Sequence, residues 1–400
     1  MSTARRSKTI GDLVLAVETW SPRSAPVGTS FEYIDIGAID QGEKAILRAG
    51  LISCAEAPSR ARQLVQGGDV LVSTVRPNLN AVAFVTPAFN GATASTGFTV
   101  LRPNPSLLDS RYLFFWVRSP QFVAEMTMNA TGASYPAVSD AIVKRSVIPS
   151  PPLPEQRRIA AILDKANAIR RQRRQSLELT QDLLRSAFLD MFGDPVVNSN
   201  GHRWRQLRDV CLKITDGEHL NPALVSSGVP LVMAGDLSDA GVSFDAGKFV
   251  SEADAARFRG KCAPELSDVL LVGRGATIGR STLVDKSEPF CLMGSVILLK
   301  CDKSLVLPDY LVSLLREPSY RKKLFSTSGS SAQQAIYLKD VAALPIPLPA
   351  LRQQQLFCEI ALATRRRMAI LKDAQEAGEA LFQSLSQRAF AGELTTTAGA

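Results

Sequence analysis

At 400 residues the chain is long enough for two or three domains with cores of their own, and 46% hydrophobic with 21% charged residues excludes wholesale disorder. A formal charge of +8 favours a polyanionic partner, while six scattered cysteines without a C-x-x-C pair and only two histidines argue against a zinc site or a disulfide framework. Reduced thiols and the lack of a long apolar run lead us to expect a cytoplasmic protein that does not enter a membrane.

Taken in chain order, residues 1–152 read as a mixed α/β globule. Short β-rich runs ("VLVSTV", "AVAFV", "FTVLRP") alternate with turn clusters, and one helical stretch, "DSRYLFFWVRSPQFVAEM", follows them. A proline-rich entry, "PSPPLP", then leads into residues 153–193, where Glu155 to Phe192 contains neither glycine nor proline. Ile159, Leu163, Ala166, Leu177, Thr180, Leu184, Ala187 and Met191 keep a spacing of three and four, and Arg170 and Arg173 fall on the same stripe. That is coiled-coil spacing over more than four heptads, in a helix about 58 Å long. Gly193 and Pro195 are placed to stop it.

Residues 194–350 read as a second globule of the same kind, with "VLLV", "STLV", "VILLK" and then "PDYLVSLLREPSYRKKLF". In residues 351–400 a second long helix and a tail follow "PIPLP", with Phe357, Ala361, Thr364, Met368, Leu371, Phe382 and Leu385 on the stripe. The halves are copies: a shift of about 198 residues lays Tyr112 on Tyr310, Pro149 on Pro347, Gln156 on Gln354 and Phe192 on Phe390. The expected class is α+β, with two mixed α/β globules separated by a long antiparallel two-helix coiled coil and a pseudo-twofold internal repeat. Helices packed separately along their own globules are the competing arrangement.

"VLLVGRGATIGRSTLV" has the look of a phosphate loop but not its spacing. Arg274 stands where the first glycine is needed, Arg280 replaces lysine, and "STLVD" reads as a strand where a helix should start. Its register partner, "STVRPNLNAVAFV", has no glycine at all. No catalytic motif was found, so no residue is assigned to catalysis or metal binding.

Candidate DNA contacts lie in two pairs of polar loops. The first globule offers Arg76, Asn78 and Asn80, then Thr131, Ser134 and Tyr135. The second offers Arg274, Thr277 and Arg280, then Ser330, Ser331 and Gln333. Arginine can bridge guanine, asparagine and glutamine can grip adenine, and small hydroxyls let the backbone approach phosphate. Plain hydrophilic turns are the alternative. Arg170, Arg171, Arg173 and Arg174 on one helix, and Arg365, Arg366 and Arg367 on the other, could track phosphates or dock a partner; a solvated face is the alternative.

Two such globules, each followed by "PLPEQRRIAAILDKANAIRRQ…LLRSAFLDMFGDP" or a weaker echo, resemble the DNA specificity subunit of type I restriction–modification systems over essentially the whole chain. The resemblance implies two target recognition domains that read a bipartite site in double-stranded DNA, with the helices as spacer. It also implies no cofactor in this chain: two modification methyltransferase subunits would bring S-adenosylmethionine, and restriction or translocase subunits would use ATP and Mg. Gln156, within the segment "EQRRIAAIL", becomes a candidate docking residue; Gln353 at the Glu155 position and Gln355 at the Arg157 position mark where the second copy departs. A coiled-coil adaptor without base recognition is the alternative function, and a cryptic nuclease a third.

Overall fold

The computed structural model describes residues 7–326 and 335–394. These form two compact units, one holding the described residues up to Gln175 together with those from Asp373 onward, the other Ser176–Lys372.

In the first unit Val70–Ser73 is buried at every residue because it is an interior strand. Phe98–Pro103 pairs with it on one side and Val82–Phe84 on the other, and Val14–Leu15 extends the sheet; all these pairings are antiparallel. A second sheet runs Gly50–Ser53, Ser30–Ile34, Thr93–Ser95, Ala61–Leu64, with a parallel pairing of Thr93–Ser95 on Ser30–Ile34. Ser7–Thr9 pairs with Val147–Pro149 and ties the start of the globule to its end.

The helical stretch expected as one element is two, α1 (Ser110–Trp116) and α2 (Pro120–Met128). Pro120 has no N–H to give an ongoing helix but suits a first turn, and the Ser119 side chain caps α2 by accepting from the Phe122 amide. α3 (Asp140–Arg145) is capped by Ser139 in the same way.

The second unit repeats the plan about 198 residues further on. Its sheet order is Cys211–Asp216, Val296–Cys301, Val269–Val272, Ser281–Leu283, and a smaller sheet joins Phe249–Val250, Val229–Val232 and Cys291–Leu292, again with one parallel pair. Arg203–Gln206 on Pro345–Leu348 is its closing ribbon. Helix α5 (Glu252–Lys261) precedes the interior strand, and α6 (Pro308–Arg316) and α7 (Pro318–Ser326) are divided at Pro318 as α1 and α2 are at Pro120. α8 (Leu338–Ala342) leads into the closing strand.

The long helices are α4 (Leu153–Phe192) and α9 (Leu351–Phe390), 40 residues each and so about 60 Å long. Every stripe position named above is buried or half-buried. In the first unit Arg170 Nε lies 2.8 Å from the Glu379 carboxylate and Arg173 Nη1 donates to the Ala374 carbonyl at 2.6 Å, so one helix ascends where the other descends. In the second unit Phe188 and Phe192, at the end of α4, each meet Phe357 near the start of α9 with centroids 5.5 Å apart. The pairing is antiparallel in both.

The helix ends also enter the globular cores. Ile159, Ala160 and Leu163 join the first unit's core, and Phe390 packs 5.3 Å from Tyr112 and 5.0 Å from Trp116. Phe192 meets Tyr310 in the same manner at 4.9 Å. Each such phenylalanine contributes roughly 1.5–3 kcal/mol by leaving water, which fixes the helix end to its globule. Gly193 and Gly392, at φ +74° and +73°, take the left-handed conformation that terminates each helix.

Candidate nucleic-acid interface

In the first unit the strand Val70–Ser73 runs out into the loop that carries Arg76. Val75 bridges Ala137, the Arg76 amide donates to the Pro136 carbonyl at 2.7 Å, and the Val138 amide donates to Thr74 at 2.9 Å. Two loops far apart in sequence therefore form one rim. Thr131 and Ala137 exchange both backbone hydrogen bonds, each 2.9 Å. The turn between them needs Gly132: its φ is +100°, and a Cβ there would come within 2.9 Å of the Tyr135 carbonyl. Arg76 is left-handed at φ +49° and lays its guanidinium 5.0 Å from the ring centre of Tyr135, which is 70% exposed.

The second unit builds the same rim. Arg274 bridges Ala335, the Ile336 amide donates to Gly273 at 2.9 Å, and the Arg274 guanidinium stands 5.8 Å from the ring centre of Tyr337, which is 50% exposed. Tyr337 was missed in the sequence because it is not the counterpart of Tyr135: it stands at the N-terminus of α8, at the place Ser139 holds before α3. "VGRGATIGRSTLV" is a strand, a loop with left-handed Gly275 and Gly279, and a second strand from Ser281; no helix begins there.

The other loop candidates divide. Asn78, Thr131 and Ser134 are exposed on the first rim. Asn80 is not, and its proposed base contact is corrected: its Nδ2 donates to the Val117 carbonyl at 3.0 Å while its own carbonyl accepts from Lys44 Nζ at 2.5 Å. Burial and nearby Arg118 hold that lysine's pKa down at about 8. Thr277 and Arg280 are likewise half-buried and fasten their loop, Thr277 Oγ1 donating to Ala234 at 3.2 Å and Arg280 Nη1 to Leu237 at 2.9 Å. Ser330, Ser331 and Gln333 lie outside the described residues.

Arg274 and Tyr337 also border a cleft of about 400 Å³ lined by Asp216, His219, Gly294 and Lys339. Asp216 accepts from Lys261 Nζ at 2.9 Å and faces His219 Nε2 at 2.8 Å. Burial alone would raise the Asp216 carboxyl, but the hydrogen bonds and charge of Lys261 and His219 outweigh it and hold it below the usual carboxylate range. Gly294 is needed beside the imidazole, since a Cβ there would lie 2.6 Å from Nδ1.

Gln156 is not a docking residue. It is 1% exposed, accepts from the Asp109 amide at 2.9 Å, and donates to Leu107 at 3.0 Å and Pro151 at 2.8 Å. Gln354, wholly buried, makes the equivalent three bonds, to Leu307, Leu305 and Pro349. Tyr112 and Tyr310 donate beside them to Pro149 and Pro347. These repeated residues rivet the proline entry and the helix start to the globule.

The arginine runs are not an open phosphate track either. Arg170 pairs with Glu379 and stands 4.4 Å from the Phe382 ring centre, and Arg173 points at the Ala374 carbonyl. Arg171 and Arg174 both pair with Glu43, and Arg365 with Asp309. Arg366 and Arg367 are exposed. No described helix is long and apolar enough to cross a membrane.

Residues 41–179 match the family model described as the type I restriction modification DNA specificity domain. Over that span the chain is similar to a type I DNA specificity domain. The matched span takes in the first rim and most of α4; the second unit lies outside it but repeats the topology. The chain is 28% identical over 156 residues to the specificity subunit of the type I restriction enzyme HindI of Haemophilus influenzae, a match that covers 38% of this chain and about a third (34%) of that protein. A solved chain from a study of complex assembly and conformational transition of the type I R-M system is similar over 98% of this chain and 99% of its own, at 28% identity and a TM-score of 0.59. The type I S subunit of M. genitalium, 13% identical over 98% of this chain and 97% of its own with a TM-score of 0.59, shares the fold.

Proposed function

We propose that the chain is the sequence-specific, non-catalytic DNA-binding specificity subunit of a type I restriction–modification complex. The observation that carries this is the duplicated rim: two units of one topology each present a paired-loop edge with an arginine on an exposed tyrosine, and one of them falls within the specificity-domain match. Each unit would read one half of a bipartite site in double-stranded DNA, and the long helices would fix the gap. Two modification methyltransferase subunits would dock on this frame and supply S-adenosylmethionine; restriction or translocase subunits would supply ATP- and Mg-dependent steps, all in the cytoplasm.

The test is reconstitution of the full chain with methyltransferase subunits. Co-elution and methylation confined to one bipartite sequence support the proposal, and shortening α4 and α9 by one heptad each should narrow the gap in that sequence. Failure to co-elute together with methylation indifferent to sequence overturns it, and would leave the coiled-coil adaptor as the better reading.

A further inference from the structure

The cleft beside Arg274 is lined by side chains that the first unit does not have at the same places. The bridges Val75–Ala137 and Arg274–Ala335 set Arg274 where the first unit has Val75, and the starts of α3 and α8 set Tyr337 where it has Ser139. Two residues further on, Lys339 stands in place of Ala141. Arg274, Tyr337 and Lys339 are all exposed, and all three border the cleft of about 400 Å³. Among the described residues neither Arg274 nor Lys339 forms an ion pair or a side-chain hydrogen bond, so their N–H groups are open to a ligand. The carboxylate that lines the cleft is already engaged: Asp216, whose side chain is 12% exposed, holds Lys261 Nζ at 2.9 Å and faces His219 Nε2 at 2.8 Å. The cleft therefore meets a ligand with cationic donors and without an open carboxylate.

We propose that Arg274, held over Tyr337 with Lys339 on the same cleft, reads a guanine in the half-site of the second unit, a specificity contact that the first unit does not share. This rests on the DNA-binding reading above. Guanine presents two acceptors, O6 and N7, on its major-groove edge, and the guanidinium fork meets both. Adenine and cytosine present an amino donor there, and the acid that could receive it is occupied by Lys261 and His219. Thymine offers one acceptor and a methyl group. Phosphate oxygens also accept, but the backbone runs alike through both half-sites and carries no sequence information. Groups present in one unit and replaced in the other are placed to tell bases apart. The site is also set before DNA arrives. The Arg274–Ala335 bridge and the Ile336 amide on the Gly273 carbonyl, at 2.9 Å, fix the backbone, and the Tyr337 ring lies 5.8 Å from the guanidinium. Gly273 permits this close approach, since a Cβ there would come within 3.0 Å of Ile297 Cδ1 and 3.2 Å of the Ile336 carbonyl.

The experiment reconstitutes the full chain with methyltransferase subunits and sequences the sites methylated in a randomised duplex library. The parent should require guanine at a position that Arg274→Ala relaxes. There the variant should admit the other bases, with discrimination reduced roughly tenfold or more, while the other half-site is read as before. Arg274→Gln should move the preference at that position toward adenine, because glutamine grips N6 and N7. An unchanged circular dichroism spectrum shows that each variant is folded. An Arg274→Ala motif identical to the parent's overturns the guanine site, and so does relaxation at a position where the parent requires another base. Methylation that falls by one factor on every sequence, the mark of a phosphate contact, overturns it too. A parent complex that methylates without regard to sequence sinks the proposed function, and the guanine site with it.

Discussion

Replacing Gln156 with leucine keeps most of the side-chain volume and deletes its three hydrogen bonds to the Asp109 amide and the Leu107 and Pro151 carbonyls. At about 1 kcal/mol net for each bond, the loss is about 3 kcal/mol. The site is sealed, with Gln156 only 1% exposed, so water does not replace the missing partner. An orphaned buried amide adds about 1–2 kcal/mol more, and the expected destabilisation is about 4–5 kcal/mol. Gln355→Leu, on an exposed position of α9, is the matched control and should stay within about 0.5 kcal/mol. Two units need not melt together, so the readout is urea unfolding followed by tryptophan fluorescence. Trp20 and Trp116 report the first unit and Trp204 the second. Gln156→Leu should move the Trp20 and Trp116 transition and leave the Trp204 transition where it was. A shift below about 0.5 kcal/mol, with lost binding of a methyltransferase subunit, would refute the rivet and restore the docking role.

Glu43→Gln should cost under about 1 kcal/mol, because its arginine pairs are partly exposed. It should also tighten binding to scrambled DNA and steepen the salt slope by releasing Arg171; an unchanged slope would place Arg171 away from any DNA path. Gly378 sits on the buried stripe of α9, where a Cβ would meet Arg173 Nη1 at 2.7 Å. Gly378→Leu should therefore lower thermal stability by about 1–3 kcal/mol despite leucine's better helix propensity, and a gain would contradict the close approach. The Asp216 carboxyl is held below its usual range once Lys261 and His219 overcome burial, so the unfolded chain takes up its proton first on acidification. Its stabilisation is present above the unfolded value and lost as pH falls through the folded one. Asp216→Asn should be less stable than the parent near neutrality and match it in acid; a difference that widens on acidification would reverse the assignment.

The frame was legible because its signals are periodic or duplicated. The three-and-four spacing picked the buried side of both long helices, and the 198-residue register recurs strand by strand in the two sheets. What was not legible depends on partners far away in the chain. Arg170 and Arg173 fall on the stripe, but nothing local says that Glu379 and the Ala374 carbonyl receive them. Glu43, 128 residues before Arg171, gives no sequence sign of neutralising it. Asn80 looked like a base reader because polar turn residues look alike until the Val117 carbonyl and Lys44 are brought beside it. The break before Pro120 was readable from Ser119-Pro120 alone, as a cap followed by a first-turn proline.

Agreement between the two copies does not by itself separate frame from function; burial does. Tyr112 with Tyr310, Gln156 with Gln354 and Phe192 with Phe390 are matched in sequence, and all six are buried within the structure that joins helix to globule. Selection for a stable frame accounts for their repetition without any ligand. Arg76 and Arg274 are exposed but not matched: the bridges Val75–Ala137 and Arg274–Ala335 set Arg274 at the place of Val75, although each arginine rests on an exposed tyrosine. An exposed cation held over an exposed ring adds only about 0.5–1 kcal/mol to stability, so the stability of the frame does not call for either pair. The duplicated interior therefore identifies the frame, and the exposed rim residues, which differ between the copies, are where the two units present different surfaces.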